Sequence, residues 1–163
     1  LYPAELFTDV YRTAAAAGLR LTAHAGEAAG PSSVAAALDT LHVERVGHGV
    51  RSVEDPGLLE RIVADQVPLE VCPTSNIRTG VVDGWEGHPI GLLLERGAYV
   101  TVNSDDPAYF GGYVLDNYVA VAQAVGLGRA DLATLARNSI EASFLPTDEK
   151  NALVAELGAM AGG

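Results

Sequence analysis

Four short apolar segments, each ending in polar or glycine residues, constrain the fold of this 163-residue chain more than any other feature. They lie at about residues 19–25, 45–46, 67–72 and 99–103, and a segment with helical periodicity comes after each of them. Alternation of strands and helices at about 25-residue spacing is typical of a parallel sheet covered by helices. The sequence therefore predicts an α/β fold whose four strands end at one edge of the sheet.

The predicted helices complete this pattern and suggest a larger architecture. They lie at about residues 3–17, 30–41, 53–66, 89–96, 115–125, 130–142 and 147–160, with loops predicted at 73–88 and 107–113. Four β/α units are half of an eight-stranded barrel, which usually needs about 250 residues. We expect residues 1–163 to form a single unit, the C-terminal half of a (β/α)8 TIM-type barrel followed by C-terminal helices. The exposed sheet edges would then be covered by a missing N-terminal half or by self-association.

Composition and charge argue against several classes of partner. The chain is 48% hydrophobic, which permits a sizeable core, and its net charge of −11 would repel nucleic acid and anionic membranes. It has neither an apolar run long enough to span a bilayer nor a secretory signal pattern, so we expect a cytoplasmic protein. The single cysteine, Cys72, excludes an intramolecular disulfide and is expected to be a buried strand residue.

Histidines follow the first two predicted strands. His24 can bind zinc as a neutral imidazole, and Glu27, three residues later, can reach the same pocket. A hydrogen-bonded structural histidine is the alternative for His24. His48 lies between two glycines that leave its imidazole little steric cover, which fits a histidine presented to solvent or to a substrate, although a tight turn would show the same pattern.

Carboxylates follow the fourth predicted strand. Asp105 and Asp106 are adjacent, and one can bind a metal while the other contacts a substrate. Alternatively, an aspartate caps a helix that begins at Pro107. After the third strand, Ser75 and Asn76 are interpreted mainly as hydrogen-bonding residues that fix a loop. Together, the strand ends fit metal-assisted hydrolysis, in which a cation activates water and side chains transfer protons.

These motifs, taken in order, resemble the adenosine/adenine deaminase family of zinc hydrolases. The matching segments are residues 24–27 (HAGE), 45–49 (RVGHG), 72–76 (CPTSN) and 103–107 (NSDDP), and residues 137–144 (RNSIEASF) resemble a family helix that follows the last strand. The resemblance implies a TIM-barrel hydrolase of purine metabolism with one Zn²⁺ per complete site. It implies hydrolytic deamination of a 6-aminopurine, with adenosine, which gives inosine and ammonia, as the first candidate substrate. Adenine and aminodeoxyfutalosine are the alternative substrates.

The resemblance also implies roles for individual residues. His24 and Asp105 would ligate zinc, and Glu27 would deliver a proton to purine N1. His48 would orient the zinc-activated water and help deprotonate it, Asp105 would accept a proton from it, and Asp106 would hydrogen-bond purine N7.

The chain departs from the family in one respect, because the His-x-His pair of the family's first strand does not occur in it. Two further zinc ligands are therefore expected from the missing N-terminal half, and the isolated chain is expected to be inactive. The competing hypotheses are another metal hydrolase on the same barrel and a non-catalytic half-barrel that acts as an interaction module.

Overall fold

The computed structural model describes residues 2–161 and divides into two compact units. The first unit contains the residues up to Val71 together with Pro89–Tyr99. The second contains Cys72–His88 and the residues from Val100 onward. The expectation of a single unit stays a prediction.

Strands and helices alternate along the chain as far as β4, as predicted, and the helices α6 to α9 follow that strand. The strands are β1 (Thr22–Ala25), β2 (Arg45–His48), β3 (Leu69–Val71) and β4 (Val100–Val102). The α-helices are α1 (Thr8–Ala16), α2 (Pro31–Asp39), α3 (Pro56–Ala64), α4 (Pro73–Arg78), α5 (Ile90–Glu95), α6 (Pro107–Phe110), α7 (Val114–Val125), α8 (Arg129–Ala142) and α9 (Thr147–Ala161). Two 3-10 helices lie at Ala4–Phe7 and Val50–Glu54. Between residues 2 and 161, no helix combines the length and the apolar composition needed to cross a membrane.

The first unit is built on three parallel strands, because β1 pairs with β2 and β2 pairs with β3. The register places His24 beside Gly47 and Ala25 beside His48, so the ends of β1 and β2 lie next to each other. Helices α2 and α3 contribute apolar side chains to the core of this unit. Its fully buried members include Val34, Val46, Ile62, Leu69, Val71, Ile90 and Leu93. Each buried side chain of this kind contributes about 1.5–3 kcal/mol.

The second unit packs β4 against helices α7 and α8, and α8 against α9. Val100, Val102, Val121 and Leu135 are its most deeply buried apolar residues. The amide of Asn138 donates a hydrogen bond to the Val100 carbonyl oxygen (2.9 Å), which ties α8 to the strand. Cys72 is buried, as predicted, but it lies outside the strand, as the N-cap residue of α4 directly after β3.

Proline begins four of the helices, namely α2, α3, α4 and α6. Proline suits the first helical position because its missing N–H group would have no partner there. The loop predictions for residues 73–78 and 107–110 are therefore wrong, since α4 and α6 occupy these segments. Helix α3 begins three residues later than predicted, because the Asp55 side chain accepts hydrogen bonds from the Gly57 and Leu58 amides at its start.

Candidate active site

His24 lies on β1 with its side chain exposed, and Gly47 of the neighbouring strand makes room for its ring. A Cβ atom on Gly47 would lie 3.2 Å from Cγ and 3.3 Å from Cδ2 of the imidazole. Any side chain at position 47 would therefore press on the ring. From the sequence, Gly47 was expected to leave the ring of His48 uncovered. The strand register shows instead that Gly47 makes room for the ring of His24.

His48 ends β2 and is almost fully buried, with 1% of its side chain exposed, so the expectation of an imidazole with little steric cover is wrong. Its ring centroid lies 5.1 Å from that of His24, and its Nε2 lies 3.6 Å from Oε2 of Glu27. The structure therefore brings together three of the predicted site residues, all of which belong to the first unit. Their arrangement suits proton transfer, because an imidazole and a carboxylate face each other at the end of two parallel strands.

The loop after β1 carries Glu27 and is fixed by Ser33, a residue of α2 that the sequence analysis did not select. The Gly26 amide donates to Ser33 Oγ (2.8 Å), and that hydroxyl donates to the Gly30 carbonyl oxygen (2.7 Å). Glu27 and His24 both line a cavity of about 830 Å³ that extends between β1, α1 and α2. The sequence contained one signal for this contact. The N-cap residue Gly30 has no side chain that could bond to the loop, and a serine three residues later can supply a hydroxyl instead.

In the second unit, Asp105 is held by Ser75. The Ser75 hydroxyl is fully buried and donates to Oδ2 of Asp105 (2.7 Å). The prediction that Ser75 forms a fixing hydrogen bond is confirmed, and its acceptor is the predicted zinc ligand. Asp106 caps α6, because its Oδ1 accepts a hydrogen bond from the Tyr109 amide (3.1 Å). The helix-cap alternative is confirmed for Asp106, and its contact with a substrate stays a prediction.

Two of the predicted site residues, His48 and Asp105, have a left-handed backbone conformation. Among residues 2–161, the non-glycine residues with positive φ are His42, His48, Gln66 and Asp105. A left-handed conformation of this kind costs on the order of 1 kcal/mol or more and tends to occur at functional sites. At His48 (φ 63°) and Asp105 (φ 56°) it sets the direction of a side chain that the sequence assigns to chemistry.

The donor atoms fit zinc, which accepts both imidazole nitrogen and carboxylate oxygen. His24 offers an exposed imidazole, and Asp105 offers a carboxylate oriented by Ser75. Two protein ligands are fewer than the three of usual catalytic zinc sites. His24 belongs to the first unit and Asp105 to the second, and their convergence on one ion stays a prediction.

Comparison with known proteins points to one family. A family model described as adenosine deaminase matches residues 2–160. Adenine deaminase from Streptomyces coelicolor is 56% identical over 149 residues, which is 91% of this chain and 44% of that protein. Adenine deaminase from Hahella chejuensis is 50% identical over 96% of this chain and 47% of its own length. The chain thus spans about half the length of these relatives.

Solved structures extend the likeness to the fold. Adenine deaminase from Arthrobacter aurescens superposes with a TM-score of 0.96 at 46% identity, over 99% of this chain and 49% of that one. An amidohydrolase from Burkhoderia ambifaria with bound Zn gives a TM-score of 0.90 at 32% identity, over 98% and 45% of the two chains. The predicted α/β fold of TIM-barrel type is confirmed. The chain belongs to the adenosine deaminase family.

Proposed function

We propose that the protein containing this chain deaminates adenine hydrolytically with the help of one zinc ion. The observation that carries the proposal is the cluster of His24, Glu27 and His48 at the ends of β1 and β2. Adenine is preferred as substrate because both of the relatives described above are named adenine deaminases. The sequence analysis placed adenosine first, and adenosine remains the second candidate.

The side chains of this chain would divide the chemistry among them. When bound by His24 and Asp105 with two further ligands, zinc would lower the pKa of water so that hydroxide forms near neutral pH. Glu27 would hold the proton that purine N1 receives, and His48 would orient the attacking water from its buried position 3.6 Å from that carboxylate. Asp106 would hydrogen-bond purine N7. Attack of the hydroxide on purine C6 would then displace the 6-amino group, which would leave as ammonia.

The proposal includes a partner for the edge of β1. Within the described residues, β1 pairs on one side only, with β2. The 830 Å³ cavity that β1 lines has apolar walls that include Phe7, Ala36 and Leu41. We propose that this space receives a strand from the half of the barrel that the relatives possess and this chain does not cover. That half would also supply the missing zinc ligands, and a second copy of the chain is the alternative occupant.

Metal analysis of the intact protein and an ammonia-release assay with adenine and adenosine test the proposal. We expect about one zinc per site and faster release from adenine. Glu27→Gln should reduce kcat by about 100-fold or more, since general acid catalysis contributes at least that much. Glu54→Gln is the matched control, because Glu54 is exposed and pairs with Arg51 rather than with the cluster.

Absence of both zinc and ammonia release would contradict the proposal, as would equal activity of the two glutamine variants. Asp106→Ala separates the remaining hypotheses. Loss of purine turnover with retained zinc favours the deaminase, whereas little effect on turnover favours another metal hydrolase on the same barrel. A stable, metal-free protein without turnover would favour the non-catalytic interaction module.

A further inference from the structure

Asn117 is a fully buried amide in the first turn of α7, and its side chain bonds to two separate segments. Its Oδ1 accepts a hydrogen bond from the Thr74 amide (3.0 Å). Its Nδ2 donates to the carbonyl oxygens of Gly112 (3.2 Å) and Tyr113 (3.0 Å). Both amide hydrogens and the carbonyl oxygen are thus used, and no apolar residue could replace this set.

The first of the two segments is the start of α4. The N–H of Thr74 belongs to the first turn of that helix, where backbone donors have no partner within the helix. Asn117 supplies the acceptor from 43 residues away. The next residue, Ser75, donates the 2.7 Å hydrogen bond to Asp105. A shift of Thr74 would therefore move the hydroxyl that orients the predicted zinc ligand.

The second segment consists of Gly112 and Tyr113, which end the stretch that begins at Asp106. Gly112 and Tyr113 lie between α6, which Asp106 caps, and α7. The two segments lie close together, because a Cβ atom on Gly112 would lie 3.3 Å from Oγ1 of the Thr74 side chain. Asn117 therefore joins two neighbouring segments, one holding Ser75 and the other leading back to Asp106.

We infer that Asn117 is a positioning residue for the proposed active site. Through Thr74 it holds Ser75 against Asp105, and through Gly112 and Tyr113 it fixes the segment that follows Asp106. The assignment rests on the proposed function for the roles of the two aspartates, whereas the joining of the segments rests on the hydrogen bonds alone.

Two substitutions separate the two connections. Asn117→Asp keeps an acceptor for the Thr74 amide but loses both donors, and it places a carboxylate against two carbonyl oxygens. Asn117→Ala removes all three hydrogen bonds. Asn138→Asp is the matched control, because it also removes an amide donor from a backbone carbonyl, that of Val100, without touching either segment.

Hydrogen-exchange mass spectrometry of the intact protein gives the primary readout, and it does not require activity. We expect Asn117→Asp, which loses two hydrogen bonds, to accelerate exchange about 100-fold in residues 107–113 only. Asn117→Ala should do the same there and also accelerate exchange about tenfold in residues 73–79, since each lost buried hydrogen bond is worth about a factor of ten. Asn138→Asp should leave both segments unchanged even where it lowers Tm.

Zinc content and adenine kinetics give the second readout. Asn117→Asp should raise KM severalfold with little change in kcat and zinc, whereas Asn117→Ala should lower kcat and zinc content as well. The inference would be overturned if all three variants changed the exchange rates equally. It would also be overturned if neither Asn117 variant changed exchange in residues 73–79 or 107–113. If Asn117→Ala does not fold, the comparison of the two aspartate variants decides. Lack of turnover in the unmodified protein would refute the proposed function while leaving the exchange result decisive.

Discussion

Acidification tests whether His88 stabilises the second unit as a neutral, buried side chain. His88 is 6% exposed and stacks on Trp85, with ring centroids 6.3 Å apart. Burial lowers the pKa of its imidazole to about 4. In the unfolded chain the same group should titrate near its ordinary pKa of about 6.5.

The sign of the effect follows from these two pKa values. Between about pH 6.5 and 4 the unfolded chain holds a proton that the folded chain does not, so the free energy of unfolding falls as the pH falls. The slope reaches about 1.4 kcal/mol per pH unit, which amounts to about 3 kcal/mol over the whole window. Above about pH 6.5 the contribution is fully present.

Urea unfolding of the intact protein at pH 7.5, 6.0 and 4.5 measures this slope. Other groups titrate too, so the relevant quantity is the stability of the wild type minus that of His88→Gln. We expect this difference to change by about 2–3 kcal/mol in favour of the variant between pH 7.5 and 4.5. His42→Asn controls for the loss of a histidine, because His42 is exposed. Parallel pH dependences of the wild type and His88→Gln would refute the burial argument.

Two further substitutions test the packing around the proposed metal ligands. Gly47→Ala would place a methyl group 3.2 Å from the imidazole of His24 and should weaken zinc binding about tenfold, measured by chelator competition, with a nearly unchanged Tm. Wild-type zinc affinity in this variant would show that the ring can move aside without cost. Ser75→Ala removes the 2.7 Å hydrogen bond to Asp105 and should lower kcat/KM for adenine about tenfold, while circular dichroism shows an intact fold. An unchanged kcat/KM would separate Ser75 from the site.

Local sequence signals were sufficient for the strands and for the cluster in the first unit. The apolar segments and their polar ends are short-range patterns, and parallel strands bring their carboxyl ends to one edge. The approach of Glu27 and His48 to His24 follows from that rule once β1 and β2 are neighbours. No long-range information was needed, because each residue sits within a few positions of a strand end.

Long-range contacts account for what sequence reasoning did not find. Helices α4 and α6 have 6 and 4 residues, too few for apolar periodicity to distinguish them from polar loops. Asn117 lies in a mainly apolar helical stretch, and its partner Thr74 is 43 residues away. The role of Gly47 depended on the strand register, which decides that His24 rather than the adjacent His48 lies against it.

The two faces of the sheet in the first unit differ in polarity. Successive strand residues alternate between faces, so Thr22 shares a face with His24. On that face Thr22 Oγ1 donates to Glu70 (3.3 Å), and Arg45 Nε lies 3.2 Å from the same carboxylate. Such partly exposed ion pairs contribute little to stability, whereas residues of the opposite face such as Val46 are fully buried. The apolar face therefore fixes the strands, and the face of His24 is free to carry polar and charged groups. His48 has the strand position of the apolar face, and it reaches the cluster from the end of β2, where its positive φ of 63° departs from the strand conformation.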